Sequence, residues 1–486
     1  MSIITLILAS TCLSLVLYSR FKRRQLSTYK RYLSTNKSTR LIGFFHPYCN
    51  AGGGGERVLW TALSYMQRQQ DKDHFLVYTG DDISKQEMLG KVKSRFGIEL
   101  DHERIDFVQL TKRWLVEDST YPRLTLLGQS LGSIVLAIEA TWQVVPDVWI
   151  DTMGYAFTYP LIRYIYRIPI ISYTHYPTIS TDMISRVSSR SSHLTNSSLI
   201  SQSLLLTLFK LIYYRLFSLL YKFSLSRASL IYSNSTWTKN HLSSLLPSSS
   251  QITLLYPPCD TTSLVSLPLT GDSTNRRRDP HKLLSLSQFR PEKLQSLQLS
   301  TLSHLFSISP QLRQTVTLTL AGSVRNNADS ERVEELRELS KKLGIERQVE
   351  FRINESWENL RELLGRSGVG LHTMQDEHFG ITLVEFQAAG LITLAHKSAG
   401  PLLDILIPSK DGLLPTGFLA EGTKESFALQ LKRILELDES EQEGLRTRAR
   451  KNAIERFGVE VFEEGWEKGW RRVMEGKKGK GKGKGE

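Results

Sequence analysis

The chain has 486 residues, of which 40% are hydrophobic and 23% are charged, and its formal net charge is +13. This composition excludes an intrinsically disordered protein, and the length exceeds what one hydrophobic core usually holds, so we expect two domains. Three scattered cysteines exclude a disulfide framework and a cysteine zinc site, while the positive charge indicates an anionic partner: a nucleic acid, a membrane surface or a phosphorylated substrate.

The first element is an uncharged apolar run over residues 2–18, at the short end of what crosses a bilayer. A cleaved signal peptide is the alternative, but the basic cluster at residues 20–24 follows the run instead of preceding it. Basic flanks stay on the cytosolic side of a membrane. We therefore predict a membrane anchor with its basic flank over residues 1–24, and the rest of the chain in the cytosol.

A Rossmann-like domain is predicted over residues 40–262. A buried strand (40–48) runs into a glycine loop, a helix (56–69) and a second strand (73–81), which is the unit from which parallel sheets are built. Ligands of such sheets bind at the carboxyl ends of the strands. Further strands are predicted at 104–110, 146–152, 168–176 and 229–235.

The glycine loop holds four consecutive glycines, Gly52, Gly53, Gly54 and Gly55. Their amides have no Cβ in the way and lie at a predicted helix N-terminus, where a diphosphate can bind. The lysine of a P-loop is missing. A flexible strand-to-helix connection without a ligand is the alternative.

The segment GQSLGS (128–133) matches the nucleophile-elbow pattern of serine hydrolases through Gly128, Ser130 and Gly132. An elbow must follow a strand and begin a helix, and the flanking sequence permits that reading. A serine hydrolase using Ser130 is therefore kept as a distant alternative.

A strongly apolar segment over residues 204–223 carries Lys210, Arg215 and Lys222. Three cations are unfavourable in a spanning helix but suit a helix that lies in a membrane interface. We predict a membrane-associated segment. A core helix whose cations reach the solvent is the alternative.

After a polar linker the strand–helix alternation restarts, which predicts a second Rossmann-like domain over residues 281–455. A C-terminal helix follows over 456–474, with Trp466 and Trp470 one turn apart as packing residues. Residues 475–486 are a lysine–glycine tail that we predict to be disordered. The strands of the second domain are predicted at 282–289, 315–323, 348–353, 368–374 and 391–396.

The densest polar motif is EHFGITLVEFQAAG, residues 377–390. It follows a predicted strand and continues into a predicted helix, with Glu377 in the loop and Glu385 near the first helical turn. Carboxylates there accept hydrogen bonds from sugar hydroxyls, while amides at the helix N-terminus hold a phosphate. Simple helix capping is the alternative for each carboxylate taken alone.

This motif resembles the donor-site signature of the retaining glycosyltransferases of family four, whose α/β fold has two Rossmann-like domains facing a cleft, the GT-B arrangement. The segments HPYCNAGGGGERVLW (46–60), THYP (174–177) and LHTMQDEHFG (371–380) resemble the branch of that family that acts in asparagine-linked glycosylation. The resemblance runs from about residue 40 to about residue 470.

The resemblance implies roles for the donor-site residues. Glu377 is expected to contact the donor sugar and to stabilise charge at its anomeric carbon, and Glu385 is expected to hold the nucleotide ribose. The amides of Phe379, Gly380 and Ile381 are expected to bind the sugar and the diphosphate.

Other implied positions carry charge or line the reaction site. Lys293 is expected to neutralise the leaving diphosphate, and His175 is expected to line the reaction site. Gln288 stands where many relatives have an arginine, so Arg290 is expected to supply that charge. The glycine loop is expected to approach the phosphates or the acceptor.

The branch that the chain resembles implies the transfer of mannose from GDP-mannose, in α-1,2 linkage, to a dolichol-diphosphate-linked oligosaccharide (Man3GlcNAc2 to Man5GlcNAc2) on the cytosolic face of the endoplasmic reticulum. The expected partners are these two substrates, the endoplasmic reticulum membrane and other mannosyltransferases of the pathway, and no nucleic acid. No metal or cofactor is expected, because Lys293 and backbone amides can stabilise the leaving diphosphate. The alternatives are a family-four enzyme with another nucleotide-sugar donor and a non-catalytic membrane scaffold.

Overall fold

The structure is a computed structural model, and it describes residues 18, 21, 39–69, 72–179, 183, 204–269, 278–409 and 412–482. The described chain forms two compact units. Unit 1 comprises the residues up to Asn234, Thr238–Leu255 and the chain from Glu463, and unit 2 comprises Ser235–Trp237 and Tyr256–Phe462. The C-terminal residues therefore fold with the N-terminal unit.

Unit 1 contains a parallel sheet whose described strands follow the order β3-β2-β1-β4-β5-β6-β7. Six of them fall where the sequence predicts a strand, and the short β7 is not predicted. The strands are β1 Leu41–Phe45, β2 His74–Thr79, β3 Ile105–Gln109, β4 Val148–Asp151, β5 Ile170–Thr174, β6 Leu230–Ser233 and β7 Ile252–Leu254.

Unit 2 contains a second parallel sheet, with the described strands in the order β10-β9-β8-β11-β12-β13. Five of these strands are predicted, and the three-residue β13 is not. The strands are β8 Asp279–Leu286, β9 Thr317–Gly322, β10 Val349–Ile353, β11 Ser367–His372, β12 Ile392–His396 and β13 Phe418–Ala420.

Helices connect the strands of both sheets. In chain order the described α-helices are α1 Gly54–Gln69, α2 Lys85–Phe96, α3 Thr125–Gln143, α4 Leu204–Leu225, α5 Thr236–Leu245, α6 Thr261–Val265, α7 Gln295–Ile308, α8 Asn327–Lys342, α9 Trp357–Arg366, α10 Ile381–Ala389, α11 Lys424–Leu435, α12 Glu439–Phe457 and α13 Val459–Lys482. The 3₁₀ turns are His102–Arg104, Arg113–Val116, Asp118–Thr120, Ala156–Thr158, Pro291–Lys293, Pro310–Gln314 and Glu346–Gln348, and the π-helical turns are Leu161–Tyr166 and Pro401–Ile405.

The apolar character of the strands explains the architecture. Parallel strands are covered on both faces, so they need apolar side chains at nearly every position. Every residue of β1 and of β2 is buried. The ring of Trp149 stacks on those of Phe45 and Tyr78, with centroid distances of 4.9 and 5.3 Å. The prediction of two Rossmann-like domains is confirmed.

The position of the first strand in each sheet fixes where ligands bind. β1 lies between β2 and β4, and β8 lies between β9 and β11. The strand order reverses at these points, and open parallel sheets bind ligands there, beyond the carboxyl ends of the strands. The loops that matter therefore follow β1, β4 and β5 in unit 1, and β8 and β11 in unit 2.

The C-terminal helix packs on unit 1 through its two tryptophans. Trp466 is fully buried and stacks on Tyr232 with a centroid distance of 5.3 Å, and the Arg40 guanidinium lies over the ring of Trp470. The prediction that these tryptophans are packing residues is confirmed. The helix continues to Lys482, whereas the sequence predicts a disordered tail from residue 475, because extending a helix that already exists avoids the cost of nucleating one.

The predicted anchor over residues 1–24 lies outside the described residues, apart from Tyr18 and Phe21. Among the described residues, no helix has both the length and the apolar character needed to cross a membrane. The apolar segment 204–223 is helical as predicted and forms most of α4.

Candidate donor and acceptor residues

Three polar side chains meet at the carboxyl edge of the sheet of unit 2. Lys293 ends the 3₁₀ turn after β8, His372 is the last residue of β11, and Glu377 lies in the loop after β11. Lys293 Nζ donates to Glu377 Oε2 at 2.7 Å, and His372 Nε2 lies 3.0 Å from the same oxygen. The structure thus brings together Lys293 and Glu377, which the resemblance assigns separately to the donor site, and it adds His372 beside them.

The environment keeps Glu377 ionised. Burial alone raises the pKa of this carboxyl, but the charge of Lys293 and the hydrogen bond from His372 outweigh burial and bring the pKa well below its ordinary value. Since His372 Nε2 faces a carboxylate, it carries the hydrogen. A fixed negative charge held between two donors can stabilise positive charge that develops on a nearby substrate carbon.

The loop that carries Glu377 is held by the segment after β12. The Asp376 amide donates to Ser398 Oγ at 2.8 Å, and the Gly400 amide donates to the Glu377 carbonyl at 3.0 Å. A Cβ at Gly400 would lie 2.4 Å from the Phe379 carbonyl oxygen, so only glycine permits this approach. Asp376 itself has a left-handed backbone (φ 54°), a strained state that is common at functional sites.

The same loop ends at the N-terminus of α10. Gly380 takes φ +100°, which favours glycine, and turns the chain into the helix. The Phe379 side chain is buried against Tyr256 and Phe457, so only its backbone can serve a ligand. The amides of Ile381 and Thr382 open α10 and favour an anion, whereas the Leu383 amide already donates to the Gly380 carbonyl at 2.9 Å.

Glu385 lies one turn after Ile381 on the same face of α10, and it is half-buried between buried neighbours. Its position next to the helix start agrees with the predicted pairing of Glu377 and Glu385 along one loop and helix. The Arg290 guanidinium pairs with Glu292 at 3.1 Å. Its role at a phosphate stays a prediction.

Unit 1 brings the glycine loop next to His175. A Cβ at Gly55 would lie 3.5 Å from His175 Nε2, and Gly52 takes φ +72° where a Cβ would overlap the Arg95 guanidinium. Gly53 and Gly54 are exposed. The loop is therefore accessible at its tip and closely packed at both ends.

Buried polar side chains connect this loop to the ends of β4 and β5. The Gly53 amide donates to Glu56 Oε2 at 2.7 Å, and Glu56 Oε1 faces His46 Nε2 at 3.8 Å. His46 Nδ1 lies 2.7 Å from Thr152 Oγ1, and His175 Nε2 lies 3.1 Å from the Thr152 carbonyl. A carbonyl only accepts, so Nε2 of His175 carries the hydrogen.

The structure contradicts the serine hydrolase alternative. Ser130 lies inside α3, more than one turn from its start, and not at a strand-to-helix elbow. Its hydroxyl donates to the Leu126 carbonyl at 2.6 Å, and the residue is buried. A hydroxyl bound to the helix backbone has no access to a substrate, so the GQSLGS match is accidental.

Sequence reasoning missed the histidines and the carboxylate that position these groups. These residues lie within or beside segments that the sequence pattern assigns to strand ends or helix starts: His46, Glu56, Thr152 and His372. The rule that ligands bind beside the strand-order reversal would have selected the residues after β1, β4 and β11. In the described part of the chain, no group of three or more His, Cys, Asp or Glu side chains is placed to hold a metal ion.

Two family descriptions match successive parts of the chain. Residues 39–246 match the family described as ALG11 mannosyltransferase N-terminus. Residues 271–456 match the family described as Glycosyl transferases group 1. The two matches together cover most of both predicted domains.

Curated relatives match over nearly the whole chain. The GDP-Man:Man(3)GlcNAc(2)-PP-Dol alpha-1,2-mannosyltransferase of Mus musculus is 45% identical over 457 residues, which is 93% of this chain and 91% of the relative. The protein of the same name in Homo sapiens is 43% identical over 463 residues, 94% of this chain and 92% of the relative. That of Dictyostelium discoideum is 45% identical over 426 residues, 87% of this chain and 82% of the relative.

Solved structures share the fold at low sequence identity. The structure of Anabaena Alr3699/HepE in complex with UDP and glucose aligns with a TM-score of 0.58 at 17% identity, over 89% of this chain and all of that chain. The sucrose-phosphate synthase of Thermosynechococcus elongatus aligns with a TM-score of 0.64 at 15% identity, over 90% of this chain and all of that chain. At these identities the likeness concerns the fold alone.

Proposed function

The chain belongs to the family of GDP-Man:Man(3)GlcNAc(2)-PP-Dol alpha-1,2-mannosyltransferases, and we propose that it transfers mannose from GDP-mannose, with retention, to the dolichol-diphosphate-linked Man3GlcNAc2 oligosaccharide and extends it to Man5GlcNAc2. Membership rests on the identity with curated relatives over more than nine tenths of the chain.

One observation carries the assignment of the donor site. Lys293, His372 and Glu377 converge beside a helix N-terminus, at the edge of a parallel sheet. A cation and free helix amides match the charge of a diphosphate leaving group. The ionised Glu377 matches the positive charge that develops at the anomeric carbon as the sugar–phosphate bond breaks.

The proposed division of roles within unit 2 follows from this geometry. Lys293 leaves its ion pair with Glu377 to bind the diphosphate, and His372 keeps Glu377 in place. Glu385 holds the nucleotide ribose from the accessible face of α10, and Arg290 supports the diphosphate after leaving Glu292. The departing phosphate assists the acceptor hydroxyl on the same face of the sugar.

We propose that no metal ion is needed, because Lys293 and the amides of α10 supply positive charge where the diphosphate leaves. Transfer in the presence of excess EDTA tests this point. Activity should stay within twofold of that in a metal-containing buffer, and its loss on chelation, restored by Mg²⁺ or Mn²⁺, would contradict it.

The acceptor carries a lipid, so the enzyme must work at a membrane surface, which we propose to be the cytosolic face of the endoplasmic reticulum. Residues 2–18 are the proposed single-pass anchor, and other mannosyltransferases of the pathway are proposed partners. Alkaline extraction of cell membranes tests the anchor. The full chain should stay in the membrane pellet, and its release would refute an integral anchor.

Helix α4 is the proposed second membrane contact. One face is buried in unit 1 through Tyr214, Phe217, Tyr221 and Leu225. The opposite face is exposed, apolar and continuous at helical spacing, and α4 contains no Asp or Glu. The exposed residues are Leu205, Phe209, Ile212, Leu216, Leu219, Leu220 and Phe223.

Two cations of α4 lie at one edge of this apolar face. At about 100° per residue, Arg215 and Lys222 fall beside the stripe and are exposed, while Lys210 falls towards the buried face, with its ammonium group over the Tyr214 ring. Such a helix lies in the interface, where each cation near an anionic leaflet contributes about 1 kcal/mol. The proposed anchor at residues 2–18 does not by itself account for a second, exposed helix with this arrangement of apolar and basic side chains.

A double substitution, Leu216→Glu with Leu220→Glu, tests the α4 surface. Transfer to the dolichol-linked acceptor in vesicles should fall about tenfold, as expected from about 1.4 kcal/mol of lost contact, while transfer to a short-chain, water-soluble acceptor stays unchanged. Leu429→Glu is the control, since Leu429 is as exposed (60%) as Leu216 (58%) but lies in α11. Equal loss with both acceptors would refute a membrane role.

The reaction itself is tested with detergent-purified full-length protein, GDP-mannose and a lipid-linked Man3GlcNAc2 acceptor. The product should be sensitive to α-1,2-mannosidase, and the Glu377→Ala protein should form less than a hundredth as much. Transfer from a UDP-sugar but not from GDP-mannose would favour the alternative donor. If the Glu377→Ala protein fully replaced the wild-type protein in cells that lack it, the non-catalytic scaffold would be favoured.

A further inference from the structure

Helix α3 has large apolar side chains on its exposed face and mostly small or polar ones on its buried face. The exposed residues, which we call the α3 stripe, are between 38% and 61% exposed: Leu131, Val135, Ile138 and Trp142. At about 100° per residue they fall within about 60° of one another. The buried residues are Ser130, Gly132, Ser133, Leu136, Ala137, Ala140 and Thr141. A helix at the surface of a soluble protein has the reverse arrangement, so the α3 stripe is suited to an apolar environment.

The buried hydroxyl groups of α3 donate within the helix itself. Ser130 Oγ donates to the Leu126 carbonyl at 2.6 Å, and Thr141 Oγ1 donates to the Ala137 carbonyl at 2.7 Å. These bonds satisfy hydroxyl hydrogens that burial removes from water. Serine and threonine can therefore face the core of unit 1, and the large apolar side chains of α3 are left on the outside.

The charge of α3 lies beside the α3 stripe and not on it. Among the residues of this helix, all of which the structure describes, Glu139 alone is charged. Its Oε1 accepts from the Thr111 amide at 2.8 Å, and its Oε2 accepts from the Lys112 amide at 3.2 Å, so the carboxylate serves the segment after β3. The uncharged stripe fits the boundary between lipid headgroups and acyl chains, where apolar helix faces are buried.

Tyr18 connects the α3 stripe to the predicted anchor. It is the last residue of the apolar run 2–18, and its ring stacks on that of Trp142 with a centroid distance of 5.5 Å and an interplanar angle of 22°. Tyrosine and tryptophan are enriched at the two surfaces of a bilayer. If residues 2–18 span the membrane, as proposed, Trp142 and its end of the stripe lie at the cytosolic surface. The proposed membrane contact α4 also touches α3, because the Leu127 amide donates to the Tyr213 hydroxyl at 3.1 Å.

We propose that α3 is a further membrane contact of unit 1, lying along the cytosolic headgroup region with the α3 stripe against lipid and Tyr18 and Trp142 at the interface. The inference rests on the proposed membrane anchor. A single span leaves the attached unit free to turn about it, whereas contact along a helix of 19 residues, about 28 Å long, restricts that freedom. The α3 stripe thereby fixes how unit 1 faces the membrane that holds the acceptor.

A fluorescent label at position 138 tests the contact with lipid. Full-length Ile138→Cys protein is labelled with nitrobenzoxadiazole and reconstituted in vesicles of phosphatidylcholine and phosphatidylserine. Its emission should fall at least twofold when the vesicles contain nitroxide-labelled phosphatidylcholine. Leu429→Cys is the control, since Leu429 is exposed on α11 of unit 2, and its label should not be quenched. Wild-type protein carried through the same labelling gives the background from the native cysteines.

Reduction of the label by dithionite, which acts from water, separates the possible occupants of the α3 stripe. Quenching by the nitroxide lipid together with slow reduction supports the proposal. A label at position 138 that is reduced slowly but is not quenched would show that protein, for example a second copy of this chain, covers the stripe. A label that is reduced as fast as the one at position 429 would show that the stripe stays in water. Either of these two results would overturn the proposal.

A double substitution, Leu131→Glu with Ile138→Glu, tests the contact without a label. Transfer to the dolichol-linked acceptor in vesicles should fall about tenfold, while transfer to a short-chain, water-soluble acceptor stays unchanged. Leu429→Glu with Ile454→Glu is the matched control, because these residues of unit 2 are 60% and 43% exposed, against 54% and 43% for the stripe pair. No loss in the stripe variant, or equal loss with both acceptors, would contradict the proposal.

The outcomes separate this inference from the proposed function. If the wild-type protein transfers no mannose from GDP-mannose, the proposed function fails, and quenching of the label at position 138 still decides whether α3 contacts lipid. If the wild type is active and membrane-bound but the label is not quenched, only the inference fails.

Discussion

The ion pair between Lys293 and Glu377 predicts opposite effects of two substitutions on GDP binding. Lys293 Nζ lies 2.7 Å from Glu377 Oε2, and the two side chains are only 20% and 14% exposed. When GDP arrives, its diphosphate must compete with Glu377 for the one ammonium group. Removing the lysine should therefore weaken GDP binding, and removing the charge of the glutamate should strengthen it.

The magnitudes follow from the environment of the pair. A hydrogen bond to a charged group contributes about 1.5–3 kcal/mol, so Lys293→Met should raise the Kd for GDP about 10- to 100-fold. A partly solvated ion pair is worth up to about 1 kcal/mol, so Glu377→Gln should lower that Kd up to about fivefold. Both variants should lose at least a hundredfold in mannose transfer, because one lacks the cation and the other lacks the carboxylate.

Calorimetric titration of GDP into detergent-purified protein measures both shifts, and transfer from GDP-mannose is measured in parallel. Lys341→Met is the matched control, because Lys341 makes an ion pair of 2.8 Å with Glu338 on the exposed surface of α8. It should change neither quantity, and the free energy of unfolding should change by less than about 0.5 kcal/mol. Weaker GDP binding in both site variants would show that the pair acts as a structural unit and would refute the competition.

Further predictions concern the surroundings of Glu377 and the discarded hydrolase site. His372→Ala should lower transfer about 10- to 100-fold with GDP binding unchanged, and His372→Gln, which keeps a donor, should recover part of the loss; equal loss in both would exclude a positioning role. Gly380→Ala should cost about 1–2 kcal/mol of unfolding free energy and abolish transfer, whereas Gly344→Ala, also at positive φ but with open space around its Cβ, should cost as much and leave transfer intact. Ser130→Ala should keep transfer within twofold, and a large loss with an intact fold would revive the hydrolase. In the folded protein the pKa of Glu377 lies below its ordinary value of 4.5, so its charge stabilises the fold fully above about pH 4.5 and less as the pH falls further. The difference in unfolding free energy between wild type and Glu377→Gln should therefore be constant from pH 7 to pH 5. A decline already at pH 6 would contradict this.

The strands could be predicted from the sequence because strands that are buried on both faces appear as continuous apolar runs. The two missed strands, β7 and β13, have three residues each and are too short to form such a run. The donor loop could be found because its residues are contiguous, from Glu377 to Glu385. Lys293 lies 84 residues from Glu377 and entered only through the resemblance to a family.

The network around Glu56 could not be found in the same way. His46 and Thr152 are 106 residues apart, and they meet only because β1 and β4 are neighbours in the sheet. In the sequence alone, Glu56 cannot be distinguished from an exposed glutamate in the first turn of a helix. Side-chain contacts between distant segments therefore depend on strand order, which the apolar pattern of single strands does not contain.

Both units hold a carboxylate at the carboxyl edge of a parallel sheet, but they balance its charge differently. In unit 2 the partner of Glu377 is Lys293, whose full charge can transfer to a diphosphate when one binds. In unit 1 the partner of Glu56 is His46, a fully buried residue whose Nε2 faces the carboxylate at 3.8 Å. A diphosphate at the glycine loop would have to displace Glu56 from the Gly53 amide and leave that carboxylate buried without the contact.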